Sequence, residues 1–220
     1  MATPYFQLRL QSAPSTQDVA RESLASVPIL VIAAQQTEGR GRSGSTWLTA
    51  DRALAASLAI QVAPGEDRPI SLMAAVAGAR LGVGIDLKWP NDLLKEGVKV
   101  GGILVERSGE MVIIGLGLNL WWPEAPDGMG ALYPDDPGEG RHLELGAVWG
   151  AETMHLFEDR GWPRDEYLER CTTLGREINW EPDGEGTVLD VDESGALIVE
   201  SGGERITVRS GEVHHLRARP

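Results

Sequence analysis

Two β-rich runs, VKVGGILVE (98–106) and MVIIGLGLNL (111–120), are separated by only four residues, Arg107-Ser108-Gly109-Glu110. Segments this close, with a glycine in the connection, turn back on each other, so the stretch predicts an antiparallel hairpin. Both strands lose their side chains in mid-run, at Gly101-Gly102 in the first and at Gly115 and Gly117 in the second. Glycine inside a strand marks close approach by a ligand or another backbone. The hairpin therefore predicts a sheet floor on which something flat lies.

Around this hairpin the pattern reads as mixed α and β. Ser15-Thr16-Gln17-Asp18 resembles a capping box opening a short helix. ILVIAAQQ (29–36) is a continuous apolar run that predicts a buried strand, and ALAASLAIQV (53–62) a second one, although its alanines leave a helix open. ISLMAAVAGARLGV (70–83) repeats apolar residues at helical spacing and should end near Gly82 or Gly84. LKWP is a short strand stopped by proline. Residues 121–140 are rich in proline, glycine and aspartate and predict an irregular, mobile segment. Helices are expected at about 143–160 and 163–174. The tail changes to short alternating runs, GTVLDV, ALIVES and ERITVRSGEV, separated by DESG and SGGE, as expected of a small barrel. A boundary at the polar stretch around 176–182 gives two units, 1–176 and 182–220. There are no internal repeats.

Composition narrows the function classes. The chain has 220 residues, enough for one domain with a small appendage. Its net charge of -13 argues against nonspecific binding to DNA or RNA, which needs a positive surface. Cys171 is the only cysteine, which leaves no intrachain disulfide and suits a reducing compartment. The N-terminal stretch has no signal-peptide pattern, and no apolar run approaches the roughly 20 residues of a membrane span, so a cytoplasmic location is expected. The four histidines show no metal-ligand spacing; the adjacent pair His214-His215 reads as exposed tail. Asp190-x-Asp192-x-Ser194-Gly195 resembles the start of a calcium loop but is flanked by strands and predicts a hairpin turn.

Against that acidity, GRGRSGSTW (39–47) concentrates two arginines on flexible backbone. Gly39-x-Gly41-x-x-Gly44 satisfies the dinucleotide fingerprint on paper, but the polar residues Gln35-Gln36-Thr37-Glu38 stand between the apolar part of the run and Gly39, and Thr46-Trp47-Leu48-Thr49 is a poor helix start. Gly39 to Thr46 would be a phosphate loop except that the lysine is missing. The arginines support a third reading. Arg40 and Arg42 face the same way in an extended loop, and guanidinium forks match phosphate oxygens. Such a loop, anchored by Trp47, is expected to be disordered when empty and ordered around an anion. Lys88-Trp89-Pro90-Asn91-Asp92 adds a cation, a rigid turn, an amide and a carboxylate, with Asp92 offering a hard oxygen to Mg²⁺.

Taken in order, Ser15-Thr16, Gln36 ahead of GRGR, KWPND at 88–92, KVGGILVE at 99–106, GLGLN at 115–119 and a small C-terminal β unit resemble the biotin–protein ligases, over nearly the whole chain. The resemblance implies an α+β fold. Its mixed-sheet catalytic domain would be related to class II aminoacyl-tRNA synthetases and lipoate ligases, and an SH3-like β-barrel would follow. It implies biotin and ATP as substrates with Mg²⁺, biotinyl-5′-AMP as intermediate, and transfer to a lysine of a biotin carboxyl carrier protein. It implies that Ser15, Thr16, Gln17 and Gln36 hold the polar ring of biotin. Gly39, Arg40, Gly102, Gly115 and Gly117 would line its site. Arg42, Lys88, Asn91, Asn119 and Trp47 would serve ATP and its phosphates, Asp92 would support Mg²⁺, and Lys99 would bridge the biotin carboxylate and the α-phosphate. Lys99, Arg40 and Arg42 are the expected catalytic cations. No DNA partner or repressor activity, no membrane, and a monomer or homodimer complete the expectation.

The chemistry agrees with this set. A carboxylate attacking ATP brings two anions together, so cations must neutralise both. A noncatalytic sensor would not need paired cations there, and a lipoate-type ligase would share the fold but not the match of Gln36 with KWPND. Ser43 and Ser45 stand where family members often carry further basic residues, which predicts weaker retention of the intermediate.

Overall fold

The computed structural model describes residues 4–159, 161–180, 184–209 and 217–218. The tail histidines His214 and His215 lie outside them. Seven strands form the larger sheet: β1 (Phe6–Ala13), β2 (Ile29–Gln36), β3 (Arg52–Gln61), β4 (Ile85–Lys88), β5 (Asp92–Lys95), β6 (Val98–Ser108) and β7 (Met111–Trp121). Their order is β1-β2-β3-β7-β6-β5-β4. The β1/β2 pair is parallel and every other pair is antiparallel, so the sheet is mixed. The expected hairpin is β6–β7, with Gly102 opposite Gly117. β1, which the sequence reading had not marked as a strand, supplies an edge; its alternation of Phe6, Leu8 and Leu10 was the available signal.

Alternation along β7 divides the two faces. Val112, Ile114, Leu116 and Leu118 enter the large core with residues of α2 (Ile70–Ala79) and α3 (Arg141–Glu158). Ile113 faces the other way, into a small cluster with Ala20 of α1 (Thr16–Ser23). α2 is buried at every position but Ser71, which is why its sequence is apolar all round. The capping box is not formed: Ser15 is the N-cap, but its hydroxyl caps nothing, and Asp18 is engaged elsewhere. The 121–140 segment is irregular, yet it is tied down. Leu132 N–H donates to Asn119 O and Tyr133 N–H to Leu120 O, and Leu132 is buried.

α4 (Arg164–Arg170) leads into the second sheet, made of β8 (Glu177–Trp180), β9 (Gly184–Val191), β10 (Leu197–Ser201), β11 (Glu204–Val208) and β12 (Arg217–Ala218). Here the expectation of an SH3-like barrel is corrected. The order is β11-β10-β9-β8-β12, and among the described residues the two end strands do not pair, so the sheet is neither closed nor curled. A small sheet closes on itself to bury its apolar face. This one buries that face against the rest of the chain instead. Val188, Val191, Leu197, Val199 and Val208 share one core with Leu72, Trp89 and Tyr167. Trp89 Nε1–H donates to Gly195 O at 2.9 Å, and Arg164 Nη2–H donates to both carboxylate oxygens of Asp190. The 192–195 stretch is a hairpin turn, with Asp192 accepting from the Ser194 and Ala196 amides. No described helix is long and apolar enough to cross a membrane.

Candidate active site

The α1 face of the sheet carries a cavity of ≈ 820 Å³ at the end where β2, β3, β6 and β7 meet the GRGR loop. One wall is polar and rigid. Ser15, Thr16 and Gln17, at the start of α1, are all buried. Gln36 Oε1 accepts from Thr16 N–H at 2.8 Å and from Thr16 Oγ1 at 3.0 Å. Thr16 Oγ1 meets Ser57 Oγ at 2.8 Å. Gln17 Nε2 donates to Leu104 O at 3.2 Å, while its Oε1 is buried with no hydrogen-bond partner among the described residues. A buried, unpaired amide oxygen is costly unless a ligand donor supplies the missing bond.

The floor is the bare hairpin. Gly102, Gly115 and Gly117 all line the cavity. The flat object on it is the chain's own Trp47: a methyl on Gly117 would stand 2.7 Å from two carbons of its indole. At Gly115 a methyl would press on the Gln17 amide at 3.2 Å.

The opposite wall carries the charge. Lys99 Nζ lies 2.5 Å from Asp92 Oδ1 and 5.9 Å from the centre of a Trp47 ring. Lys99 is fixed on both sides of its backbone, its N–H donating to Gly128 O and its carbonyl accepting from Gly130 N–H. Asn91 Nδ2 donates to Ile103 O at 2.8 Å, which locks KWPND onto β6, and Arg42 Nη1 reaches Asn91 Oδ1 at 3.5 Å. Burial pushes the Arg42 pKa down from its ordinary value, against the pull of Asp92. Lys88 lines the same wall. The Trp89–Pro90 peptide is cis.

The loop is a small hairpin. Gly41 N–H donates to Ser45 O and Trp47 N–H to Gly39 O, around a three-residue 3-10 turn at Arg42–Gly44. No helix follows the glycines, as the dinucleotide and phosphate-loop readings would need. The two arginines do not crowd each other; they diverge to different partners. Arg40 Nη1 and Nη2 grip Asp18 at 2.6 and 2.8 Å, and Glu106 lies 3.6 Å away. The Asp18 pKa is lowered, chiefly by the hydrogen bond from Arg40.

Of the residues singled out in the sequence, Ser15, Thr16, Gln17, Gln36, Arg40, Arg42, Trp47, Lys88, Asn91, Asp92, Lys99, Gly102, Gly115 and Gly117 converge on this one cavity. Gly39 and Asn119 do not line it. Asn119 is fully buried, with Nδ2 donating to Gly130 O at 3.0 Å. The sequence reading missed Ser57, Asp18, Glu106 and Met129. Ser57 had a signal, being the one polar residue inside the apolar stretch ALAASLAI; the acids had none, because their partners are distant in the chain. Among the described residues no three His, Cys, Asp or Glu side chains gather as a metal cluster. Asp92 puts a carboxylate into the cavity, which fits a magnesium ion whose other ligands come from phosphate and water rather than a site built wholly by protein.

A mixed sheet with an amide-and-hydroxyl wall, a bare floor and a facing wall of cations defines a ligase-type site that grips a small polar acid beside a phosphate. Residues 9–119 match the Biotin/lipoate A/B protein ligase family, and residues 173–216 match the Biotin protein ligase C terminal domain. The chain belongs to the biotin protein ligases of that family. It is 32% identical to the biotin–acetyl-CoA-carboxylase ligase of Mycobacterium tuberculosis, across 86% of this chain and 79% of the relative. It is likewise 32% identical to the enzyme of that name from Paracoccus denitrificans, across 83% and 88%. Its structure is similar to the biotin protein ligase from Aquifex aeolicus in complex with biotin and ATP, with TM-score 0.80 and 25% identity over 97% of this chain and 99% of that one.

Proposed function

We propose that this cavity joins biotin to ATP, giving biotinyl-5′-AMP and pyrophosphate, and then passes the biotinyl group to a lysine of a biotin carboxyl carrier domain. In the first step a biotin carboxylate oxygen attacks the α-phosphorus, the P–O bond to pyrophosphate breaks, and a mixed anhydride forms. In the second, the carrier amine attacks the anhydride carbonyl, loses a proton, and AMP leaves.

One observation carries the reading: the bare glycine floor lies between the Thr16–Gln36–Ser57 wall and the Lys99–Arg42 wall. The first wall suits a fused ring with both donors and acceptors. Ser15, Thr16, Gln17 and Gln36 would hold the polar ring, with the unpaired Gln17 Oε1 as an acceptor for a ring N–H. Gly102, Gly115 and Gly117 would form the floor beside the ring, with Trp47 covering it over Gly117, and Arg40 borders it. Lys99 would bridge carboxylate and α-phosphate, with Arg42, Lys88, Asn91 and Trp47 serving the nucleotide, while Asn119, buried off the cavity, would brace the chain at Gly130. Asp92 would hold Mg²⁺, which neutralises phosphate charge. Charge stabilisation of this kind is worth about 3 kcal/mol per well-placed donor, and holding the reactants in line roughly 7–11 kcal/mol. Residues 1–176 would form the biotin- and ATP-binding unit and 182–220 the second. The chain would act in the cytoplasm on a carrier of the acetyl-CoA-carboxylase type.

The test is ATP–pyrophosphate exchange with biotin or lipoate as the acid. Exchange with biotin at least about 100-fold faster than with lipoate is expected, since unpaired polar groups of the wall penalise an acid lacking the ring amides. Exchange with lipoate alone overturns the reading.

A further inference from the structure

Asp18 stands in the first turn of α1, on a rigid element, immediately after the polar wall formed by Ser15, Thr16 and Gln17. Within the helix it makes one side-chain contact, an i,i+3 ion pair with Arg21, and it leaves the Ser15 cap unformed. Its two oxygens instead meet both terminal nitrogens of Arg40, at 2.6 and 2.8 Å, and Oδ1 also accepts from Arg21 Nη1 at 2.7 Å. Behind them Glu106 of β6 accepts from Arg21 Nη2 at 2.6 Å and lies 3.6 Å from Arg40 Nη2. Two guanidinium groups and two carboxylates thus close a neutral four-membered network across α1, the loop and β6.

The partners are about two-fifths exposed, Arg40 at 36% and Asp18 at 41%. A single ion pair so exposed contributes little, but a forked arginine–carboxylate contact within a network is the arrangement in which exposed charges do hold geometry. Other contacts of the loop include its own internal bonds, the long Arg42–Asn91 contact and the packing of Trp47 on Gly117 and beside Lys99. Ser43 and Ser45 add no charge.

We propose that Asp18, supported by Glu106, is a positioning residue that fixes Arg40 and latches the 39–47 loop over the cavity, so that closure is secured by the chain's own carboxylates as well as by ligand phosphate. The latch itself follows from geometry alone; its consequence for the bound adenylate rests on the proposed function.

Amide hydrogen exchange of Gly41, Ser45 and Trp47 in the full, ligand-free chain tests the latch. Asp18→Asn should speed exchange at these three amides by about tenfold while β3 and β7 keep their protection. Glu106→Gln should act in the same direction by about threefold, and decides the matter if Asp18→Asn fails to fold. In the wild type, loop exchange should rise with salt, because the network is exposed enough to be screened. A loop whose exchange ignores both substitutions, or ignores salt, overturns the proposal. In a second arm, the escape of biotinyl-5′-AMP is timed. Faster escape from Asp18→Asn supports the latch and equal escape contradicts it, whereas a wild type that forms no adenylate defeats the functional reading and leaves the exchange result to judge the latch.

Discussion

The indole of Trp47 lies on the bare backbone of Gly117, so close that a methyl group there would stand 2.7 Å from two ring carbons. The loop and the floor are therefore fitted to each other through an absent side chain. Gly117→Ala forces the loop to lift or the ring to turn, at a cost of about 1–3 kcal/mol. Calorimetric titration with biotin should show affinity weakened by about tenfold or more. Adding Trp47→Ala should return the lost thermal stability, because the clash is then gone.

Gln36 closes the polar wall from β2. Its Oε1 is the acceptor for both Thr16 N–H and Thr16 Oγ1. Gln36→Ala leaves a buried backbone donor unpaired, which costs about 1–3 kcal/mol. Denaturant unfolding should report that loss, and biotin affinity should fall by about tenfold with it.

Ser45 is exposed on the loop and donates to Arg42 O at 2.9 Å. Replacing it by arginine adds a cation on the rim of the loop. Ser45→Arg should slow escape of biotinyl-5′-AMP by about fivefold, the equivalent of one charge-assisted contact of about 1 kcal/mol. An unchanged escape rate would show that the loop does not depend on charge at this position.

Asp18 gives the loop a pH dependence of defined sign. Its carboxyl titrates below the ordinary value because Arg40 hydrogen-bonds the charged form. The folded state therefore binds this proton less readily than the unfolded chain does. The contribution is full above the unfolded pKa of about 4 and is lost as pH falls through the lower folded value. Loop amides should keep constant relative protection between pH 5 and pH 8 on the order of experimental error, and lose it in acid. Asp18→Asn should shrink that acid step, leaving the share that Glu106 contributes through Arg21 and Arg40.

Much of this was legible before the structure because it is local. The hairpin announces itself through two strands four residues apart, and KWPND with KVGGILVE places Asn91, Asp92 and Lys99 within a few residues of one another. The errors came from contacts between distant segments. Asp18 read as part of a helix cap, because the Arg40 fork that claims both its oxygens is 22 residues away. The object on the glycine floor could not be identified as Trp47 from spacing alone. The second sheet has the short alternating strands of a barrel, and its sharing of one core with Trp89 and Leu72, distant in the chain, is not visible in that alternation. β1 went unread because its pairing with β2 is parallel and spans the whole of α1.

The most direct measurement is the amount of biotinyl-5′-AMP bound after purified protein is mixed with biotin and Mg·ATP and analysed by mass spectrometry. About one adenylate per chain is predicted for the wild type. Lys99→Ala, which removes the cation 2.5 Å from Asp92, should form it at least about 100-fold more slowly with its fold intact. A wild-type protein that binds both substrates but never accumulates the adenylate, or a Lys99→Ala variant that forms it at the wild-type rate, would contradict the account.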